Sequence, residues 1–461
     1  MMIKGLAFLL TLTTALNSFA INHGFSYHKS SLFNVSLKLR TDGTMRSEEI
    51  GWYDQKLDHS DTSSVETFKQ RFFVDSQYAE GPLSPVFYII CGEWNCGGTG
   101  SYSFVENAAK KMKAHLVALE HRYYGESLPT RNLTPGALIH LNLESAILDL
   151  ATFQKHMMEV RGLKGKWIAV GGSYAGTLAA FYREKHPDLV VGALASSAPV
   201  LMKNEFKEYD AHVAKVINQT SCGDKVRQAV ALIEDKMSTA EGTREVKELF
   251  KAQNLKNDND FLYVVADMLA AAVQYGSDKS FCDTLINAED PIQGYAKAGI
   301  DVLTAMRTNP YEISLAVAER EHVTPDDNMR QWMYQSCTQF GWFQVANGNA
   351  QDTSRSGRID LAYHEEICQR LYRTPMGEDG ALNKEWYLPL YNPETTRIIF
   401  TNGSNDPWLT LSITDNAHSG LDLLMMDGAA HCNDLRLMTN LPSVMMAHSK
   451  MEGIFKNWLS L

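Results

Sequence analysis

Short apolar runs alternate with amphipathic windows through the first 200 residues. The runs are five to eight residues long and rich in Val, Ile, Leu and Ala, which is typical of buried strands. They cover residues 84–91, 115–120, 166–170 and 190–195. Apolar positions three to four residues apart predict intervening helices at 105–113, 143–160 and 175–185. Strand–helix alternation of this kind predicts an α/β fold whose parallel sheet is covered on both faces.

The pattern changes near residue 203. Residues 203–385 are mostly helix formers and charged residues, without a convincing Val/Ile-rich run. Strand character returns at 396–401 and 421–426, before a closing helix near 443–459. We therefore expect an α/β domain in two parts, 21–202 and 386–461, interrupted by a helical domain at 203–385.

The N-terminal segment has the layout of a secretory signal peptide. Lys4 precedes an apolar stretch from Gly5 to Leu16, and small residues flank a cleavage point after Ala20. The stretch is shorter than the roughly 20 residues that a membrane-spanning helix needs, and no later segment reaches that length. We expect a signal peptide at 1–20 and a secreted, lysosomal or vacuolar protein without a membrane span.

The composition and net charge restrict the class of protein and the partners that it can bind. Of the 461 residues, 44% are hydrophobic and 21% charged, which excludes a disordered or low-complexity chain. The net charge of -11 disfavours nucleic-acid binding, because the phosphate backbone is also negative.

The chain has seven cysteines, so at least one thiol is left without an intramolecular partner. Short-range closure favours pairing Cys91 with Cys96, Cys222 with Cys282 and Cys337 with Cys368, which leaves Cys432. Their spacing gives little support to a zinc site, and we expect no metal.

One candidate nucleophile lies where a predicted strand meets a predicted helix. Ser173 stands in the segment Gly171-Gly-Ser-Tyr-Ala-Gly176, where small residues permit a tight turn that projects the hydroxyl above the sheet. The alternative is a structural serine that caps the helix.

Chain order selects the partners of this serine. In the α/β-hydrolase arrangement the acid and then the histidine follow the nucleophile. Asp406 is the only carboxylate in the turn-rich loop Asn402–Pro407, although an Asp there also simply begins a turn. Among the late histidines, His418 leads into a strand and His448 lies on the terminal helix, which leaves His431 in a small-residue loop. We expect a Ser173–Asp406–His431 triad.

An acyl-transfer site also needs two N–H donors for the developing oxyanion. We expect one from the Tyr174 backbone and the other from the loop at Gly92 and Glu93. Four N-x-S/T sequons are present, and we expect glycans on Asn34, Asn132 and Asn218. Asn402 is expected to stay unmodified, because a glycan there would crowd the site.

Eight segments share a family pattern. They are Gln55–His59, Thr67–Arg71, Glu120–Pro129, Gly171–Gly176, Gly192–Pro199, Tyr334–Gly341, Asn402–Trp408 and Ala430–Cys432. In these segments the chain resembles the serine carboxypeptidase S28 family of prolyl carboxypeptidases, dipeptidyl peptidases and thymus-specific serine proteases, and is nearest in motif to the last branch. The resemblance implies an α/β-hydrolase fold with a helical cap of the SKS type, the same triad, and cleavage after proline.

The loop that usually reads Gly-Gly-Glu-Gly in this family is here Cys91-Gly-Glu-Trp-Asn-Cys96. We expect Trp408 to form a wall for a proline ring, with an ordinary core tryptophan as the alternative. Glu93 is expected either to pair with a substrate α-amine or only to hold its loop.

The predicted function is a serine exopeptidase of short, proline-containing peptides that needs no cofactor. An esterase or lipase of the same fold and an inactive binding homologue are the alternatives. The sequence leaves open carboxypeptidase or dipeptidyl peptidase action, and also a homodimer.

Overall fold

The computed structural model describes residues 48–415 and 418–460. The predicted signal peptide and the sequon at Asn34 lie outside these residues. Within them, no helix combines the length and apolar character needed to span a bilayer.

An eight-stranded sheet forms the centre of the molecule, in the order β1-β2-β4-β3-β5-β6-β9-β10. β2 pairs antiparallel with both β1 and β4, and every other neighbouring pair is parallel. The strands are β1 Glu49–Lys56, β2 Thr67–Asp75, β3 Val86–Ile90, β4 His115–Leu119, β5 Trp167–Gly172, β6 Gly192–Ser196, β9 Ile398–Gly403 and β10 Leu421–Met426. A separate pair of short strands, β7 Lys203–Glu205 and β8 Gly341–Phe343, lies between β6 and β9 in the chain.

The sheet is covered on both faces, which confirms the predicted α/β-hydrolase class. Every residue of β3, β4 and β6 is buried, so these strands appear in the sequence as unbroken apolar runs. Alternate side chains enter opposite cores: Tyr88 lies in the core that contains Phe153 of one helical layer, and Phe87 packs on Phe455 of the other. These layers are α2 Leu143–Glu159 with α3 Tyr174–Lys185, and α1 Ser103–Met112 with α12 Pro442–Ser460.

The segment between β6 and β9 is mainly helical. Its helices are α4 Lys207–Ile217, α5 Cys222–Lys236, α6 Ala240–Leu249, α7 Asp258–Gln274, α8 Asp278–Ile286, α9 Pro291–Ala305, α10 Met329–Gln335 and α11 Leu361–Tyr372. A π-helical turn, Ser336–Phe340, follows α10. Disulfides join Cys222 to Cys282 and Cys337 to Cys368 within this segment, and Cys91 joins Cys96 near the sheet. Cys432 is buried and unpaired.

The strands that the hydrophobic pattern did not predict are β1, β2, β7 and β8. β1 alternates between exposed and half-buried residues at the edge of the sheet, so it presents no continuous apolar run. β7 and β8 are three residues each, too short for a periodic signal. The segment 203–385, which was expected to be helical and to lack a Val/Ile-rich run, therefore also contains two short strands.

A buried ion pair anchors the antiparallel edge to the helices. Arg122 donates through Nε and Nη2 to the two carboxylate oxygens of Asp149, at 2.7 and 2.6 Å. Its remaining N–H groups reach the carbonyls of Lys56, Leu57 and His140. All five donors of the guanidinium are therefore used, although Arg122 is fully buried.

Asp149→Ala is expected to lower the free energy of unfolding by about 3–5 kcal/mol, because it leaves a buried guanidinium without its counterion. Denaturant titration measures the change. Asp54→Ala is the matched control, since its pair with Lys69 is exposed and contributes little. Equal losses in the two variants would contradict a structural role for the Arg122–Asp149 pair.

Candidate active site

Ser173 occupies a strained turn between β5 and α3. Its backbone has φ 59° and ψ -132°, a conformation that non-glycine residues rarely adopt and that often marks a functional position. The flanking glycines are required by space: a Cβ on Gly171 would lie 2.0 Å from the Ala175 carbonyl oxygen, and one on Gly176 would lie 2.9 Å from that of Ser196. Ser173 is only half-buried. The turn therefore leaves the serine accessible at the edge of the sheet.

The loop after β3 lies against the first turn of α3. A Cβ on Gly92 would be 3.3 Å from both the Cβ and the backbone nitrogen of Ala175, so the two backbones approach closely. The Tyr174 N–H belongs to the first turn of the helix and has no intrahelical acceptor. The Cys91–Cys96 disulfide closes this loop, and the buried Glu120 carboxyl accepts the Cys96 N–H at 3.0 Å. The loop after β3 is thus held against the backbone that follows Ser173.

Asp406 and His431 form a buried pair. His431 Nδ1 lies 2.8 Å from Asp406 Oδ2, and both side chains are almost fully buried. The other carboxylate oxygen, Oδ1, accepts the Trp408 N–H at 3.0 Å and so fixes the carboxyl group. His431 Nε2 makes no hydrogen bond within the described part of the chain. If Nδ1 carries the proton that Asp406 accepts, Nε2 is the basic nitrogen.

The electrostatics of this pair favour the protonated imidazole. Burial disfavours the charge on His431, but the Asp406 carboxylate and the neighbouring Cys432 outweigh it and hold the pKa of His431 well above its ordinary value. The strongest contribution that favours the imidazolium comes from Asp406, which also supplies the short hydrogen bond.

The loop that carries His431 is fixed by Asp434, which the sequence reasoning missed. Its carboxylate accepts from the Ser196 hydroxyl at 2.6 Å and from the Thr401 hydroxyl at 2.8 Å. These hydroxyls stand near the carboxyl ends of β6 and β9. In the same loop, Cys432 Sγ would lie 3.1 Å from a Cβ on Gly172. The loop therefore packs directly against the turn of Ser173. The sequence signal that could have identified Asp434 was a carboxylate three residues after the candidate histidine.

The two rejected histidines have other partners. His418 Nε2 lies 3.2 Å from the Leu390 carbonyl, and His448 stacks on Phe104 with ring centroids 4.3 Å apart. Neither pairs with Asp406.

The helical segment contacts the candidate site at two points. The Gln274 backbone carbonyl at the end of α7 accepts the backbone N–H of His431 at 2.9 Å. Gln335, at the end of α10, donates to the Tyr174 hydroxyl at 2.9 Å, and His121 Nε2 lies 3.0 Å from the same hydroxyl. Burial lowers the pKa of His121 to about 4, so this imidazole is neutral at physiological pH and Nε2 accepts. Neither glutamine was predicted, because each contact joins residues more than 150 positions apart.

Trp408 lies in an aromatic cluster behind His431. It is 7% exposed and its Nε1 donates to Gln274 Oε1 at 2.9 Å. Its ring meets Tyr209 edge-on at 5.4 Å and Trp342 at 6.0 Å. The Trp342 ring stacks on the Phe340 ring with centroids 4.7 Å apart, and the Phe340 ring in turn contacts the Tyr174 ring.

Glu93 is half-buried in the loop after β3. Burial raises the pKa of its carboxyl, while His431 opposes that shift, so the two side chains interact electrostatically. Of the sequons in the described region, Asn132 and Asn218 are exposed. Asn402 is 2% exposed, with Nδ2 directed to the Ile413 carbonyl, which disfavours a glycan.

The strand order of the sheet and the strained turn at Ser173 are those of an α/β hydrolase. The chain matches the family Serine carboxypeptidase S28 over residues 55–452. "Probable serine protease EDA2" of Arabidopsis thaliana is 32% identical over 96% of this chain and 91% of that protein. Thymus-specific serine protease of Mus musculus is 28% identical over 89% of this chain and 87% of the relative. Lysosomal Pro-X carboxypeptidase of Bos taurus is 28% identical over 93% and 91%, respectively.

Among solved structures, proline iminopeptidase of Mycobacterium smegmatis gives a TM-score of 0.41 with 12% identity, over 89% of this chain and 99% of that one. This likeness is too distant to bear on function. The chain belongs to the serine carboxypeptidase S28 family, and its relatives support a serine peptidase.

Asp406→Asn is expected to lower kcat by about 10³–10⁴-fold, because it removes the charge and tautomer control on His431. A base must be neutral to accept a proton, so wild-type kcat/KM should rise with pH through a pKa above the ordinary 6.5. Removing the carboxylate charge should move this rise to lower pH. Steady-state kinetics across pH measure both effects. An unmoved acidic limb would contradict the electrostatic role of Asp406.

Proposed function

We propose that this protein is a serine exopeptidase that hydrolyses short peptides after proline through an acyl-enzyme on Ser173. One observation carries the proposal. The Asp406–His431 hydrogen bond engages Nδ1, while Nε2 has no hydrogen-bond partner among the described residues and lies on a loop that packs against the turn of Ser173.

The mechanism follows from these groups. His431 Nε2 takes the Ser173 proton as Oγ attacks the scissile carbonyl, and the imidazolium is stabilised by Asp406. The Tyr174 N–H and an N–H of Gly92 or Glu93 stabilise the oxyanion. When the C–N bond breaks, His431 returns the proton to the leaving amine. It then activates a water that hydrolyses the ester and restores Ser173.

The substrate preference is proposed from the aromatic cluster. The Trp408 ring lies 6.5 Å from the His431 ring and packs on the buried Tyr209, and a proline ring packs well on aromatic faces. A relative is named lysosomal Pro-X carboxypeptidase, which agrees with a preference for proline. Trp408 is only 7% exposed, so a proline would meet no more than part of its ring.

Exopeptidase action is proposed from the helical segment, which we assign as a cap at 203–385. It contacts the His431 backbone through the Gln274 carbonyl and the Tyr174 hydroxyl through Gln335, which supports a cap over the site. A covered site excludes the middle of a folded polypeptide and admits chain ends. Export to a secretory or lysosomal compartment, with glycans at Asn132 and Asn218, fits the three disulfides.

Ser173→Ala is expected to remove essentially all turnover and to leave the melting temperature unchanged. Loss of the nucleophile abolishes acyl transfer, whereas one half-buried hydroxyl contributes little to stability. Ser460→Ala, on the exposed end of α12, is the matched control. Retained hydrolysis of a proline peptide by Ser173→Ala would refute the assignment.

A peptide with proline second from each end should separate the proposed activity from that of an esterase. We expect cleavage after at least one proline, identified by mass spectrometry of the products. An alanine-substituted twin should be cleaved at least tenfold more slowly. Rapid turnover of an acyl ester beside an uncleaved proline peptide would favour the esterase alternative.

A further inference from the structure

Helix α7 has a single partly accessible stripe. From Asp260 to Gln274, the residues of this helix that are not buried are Tyr263, Asp267, Ala271 and Gln274. Their spacing of four, four and three places them in one row along the helix. The row ends at the candidate site. There the Gln274 backbone carbonyl accepts the backbone N–H of His431, and the Gln274 side-chain oxygen accepts from Trp408 Nε1.

Asp267 is the ionisable carboxyl group on this row. Its Oδ1 is buried and accepts no hydrogen bond from the described residues. Burial raises the pKa of Asp267 to about 6, although the Arg355 guanidinium and the Tyr263 hydroxyl oppose the shift. The group is therefore largely ionised at neutral pH. An ionised oxygen without a hydrogen-bond partner is an unsatisfied acceptor. A positively charged hydrogen-bond donor would satisfy it.

Arg355 does not fill this role. Its side chain is entirely inaccessible, and its Nη1 donates to the Gln344 carbonyl at 2.6 Å. Its Nε lies 3.5 Å from Asp210 Oδ1, which is equally inaccessible, so the two buried charges offset each other. Arg355 also lies over the ring of Tyr209, 5.7 Å from its centroid. Asp267 is therefore a partly accessible carboxyl group whose Oδ1 has no hydrogen-bond partner among the described residues.

The spacing along the helix suits a short peptide. Asp267 and Gln274 are seven residues apart, which corresponds to about 10 Å of helix. An extended peptide spans about 3.3–3.6 Å per residue, so two or three residues bridge this interval. A substrate carboxylate would be repelled by Asp267, whereas an α-ammonium group would be attracted.

We propose that Asp267 binds the free α-ammonium group of the substrate, so that two or three N-terminal residues lie between it and Ser173. The inference rests on the proposed peptidase function and assigns the end of the peptide that is recognised. The enzyme would release N-terminal di- or tripeptides rather than single C-terminal residues. Asp267 thus acts as a binding residue, at a distance from the reacting atoms.

The test uses a hexapeptide with proline at position two, a second with proline at position three, and the N-acetylated twin of each. Wild-type kcat/KM should be at least tenfold higher for the free amines. Asp267→Asn should abolish this difference, mainly through KM, and leave the acetylated twins unchanged. Asp267→Glu retains the charge and should keep part of the preference. Asp301→Asn is the matched control, because Asp301 is exposed on α9 and pairs with Lys297.

Calorimetric binding of the same peptides to Ser173→Ala needs no turnover and separates the two proposals. Tighter binding of the free amines without any wild-type hydrolysis would support the ammonium site and refute the peptidase. Equal binding of the free and acetylated twins would refute the ammonium site alone. A preference that survives Asp267→Asn but disappears in Glu93→Gln would overturn the assignment by placing the amine at Glu93.

Discussion

Parallel pairing of β5, β6, β9 and β10 is the constraint on which the site depends. Their register places Gly172 beside Ser196, Ser196 beside Thr401, and Gly403 beside Met426. The carboxyl ends of the strands therefore meet at one edge, and Ser173, Asp406 and His431 follow three of them. The Asp434 carboxylate bonds the hydroxyls of Ser196 and Thr401, which are themselves register partners. The strand register thus fixes the loop that carries the histidine.

The site accepts local strain and unsatisfied groups that the surrounding fold compensates. Ser173 keeps a positive φ because strand β5, helix α3 and the loop of Cys432 determine the backbone on every side. His431 Nε2 is buried and has no hydrogen-bond partner in the part of the chain that the structure describes, a state that destabilises a folded protein but leaves the nitrogen free for proton transfer. The helical segment adds contacts through Gln274 and Gln335 rather than through residues of the sheet. Contacts to the site therefore come from the helical segment as well as from the loops that follow the strands.

Features that depend on the local pattern of apolar residues, and on the order of residues along the chain, could be predicted from the sequence. Strands β3 to β6 and β9 are almost entirely buried and form continuous apolar runs, and the half-buried β10 is still mostly apolar, so all six were predicted. Chain order then selected Asp406 and His431 from many carboxylates and histidines. The edge strand β1 was missed because it is half exposed and alternates. Gln274, Gln335 and Asp434 were missed because each acts through contacts with residues that are distant in the sequence. Burial of Trp408 likewise depends on packing against Tyr209 and Trp342, which no local spacing indicates.

Reaction with a fluorophosphonate, followed by peptide mapping, tests the central claim most directly, because the reagent phosphonylates only a serine whose hydroxyl is activated by a base. The account predicts one adduct per chain, on Ser173, formed much more slowly in His431→Gln. An unlabelled folded protein, or an adduct on another residue, would contradict it.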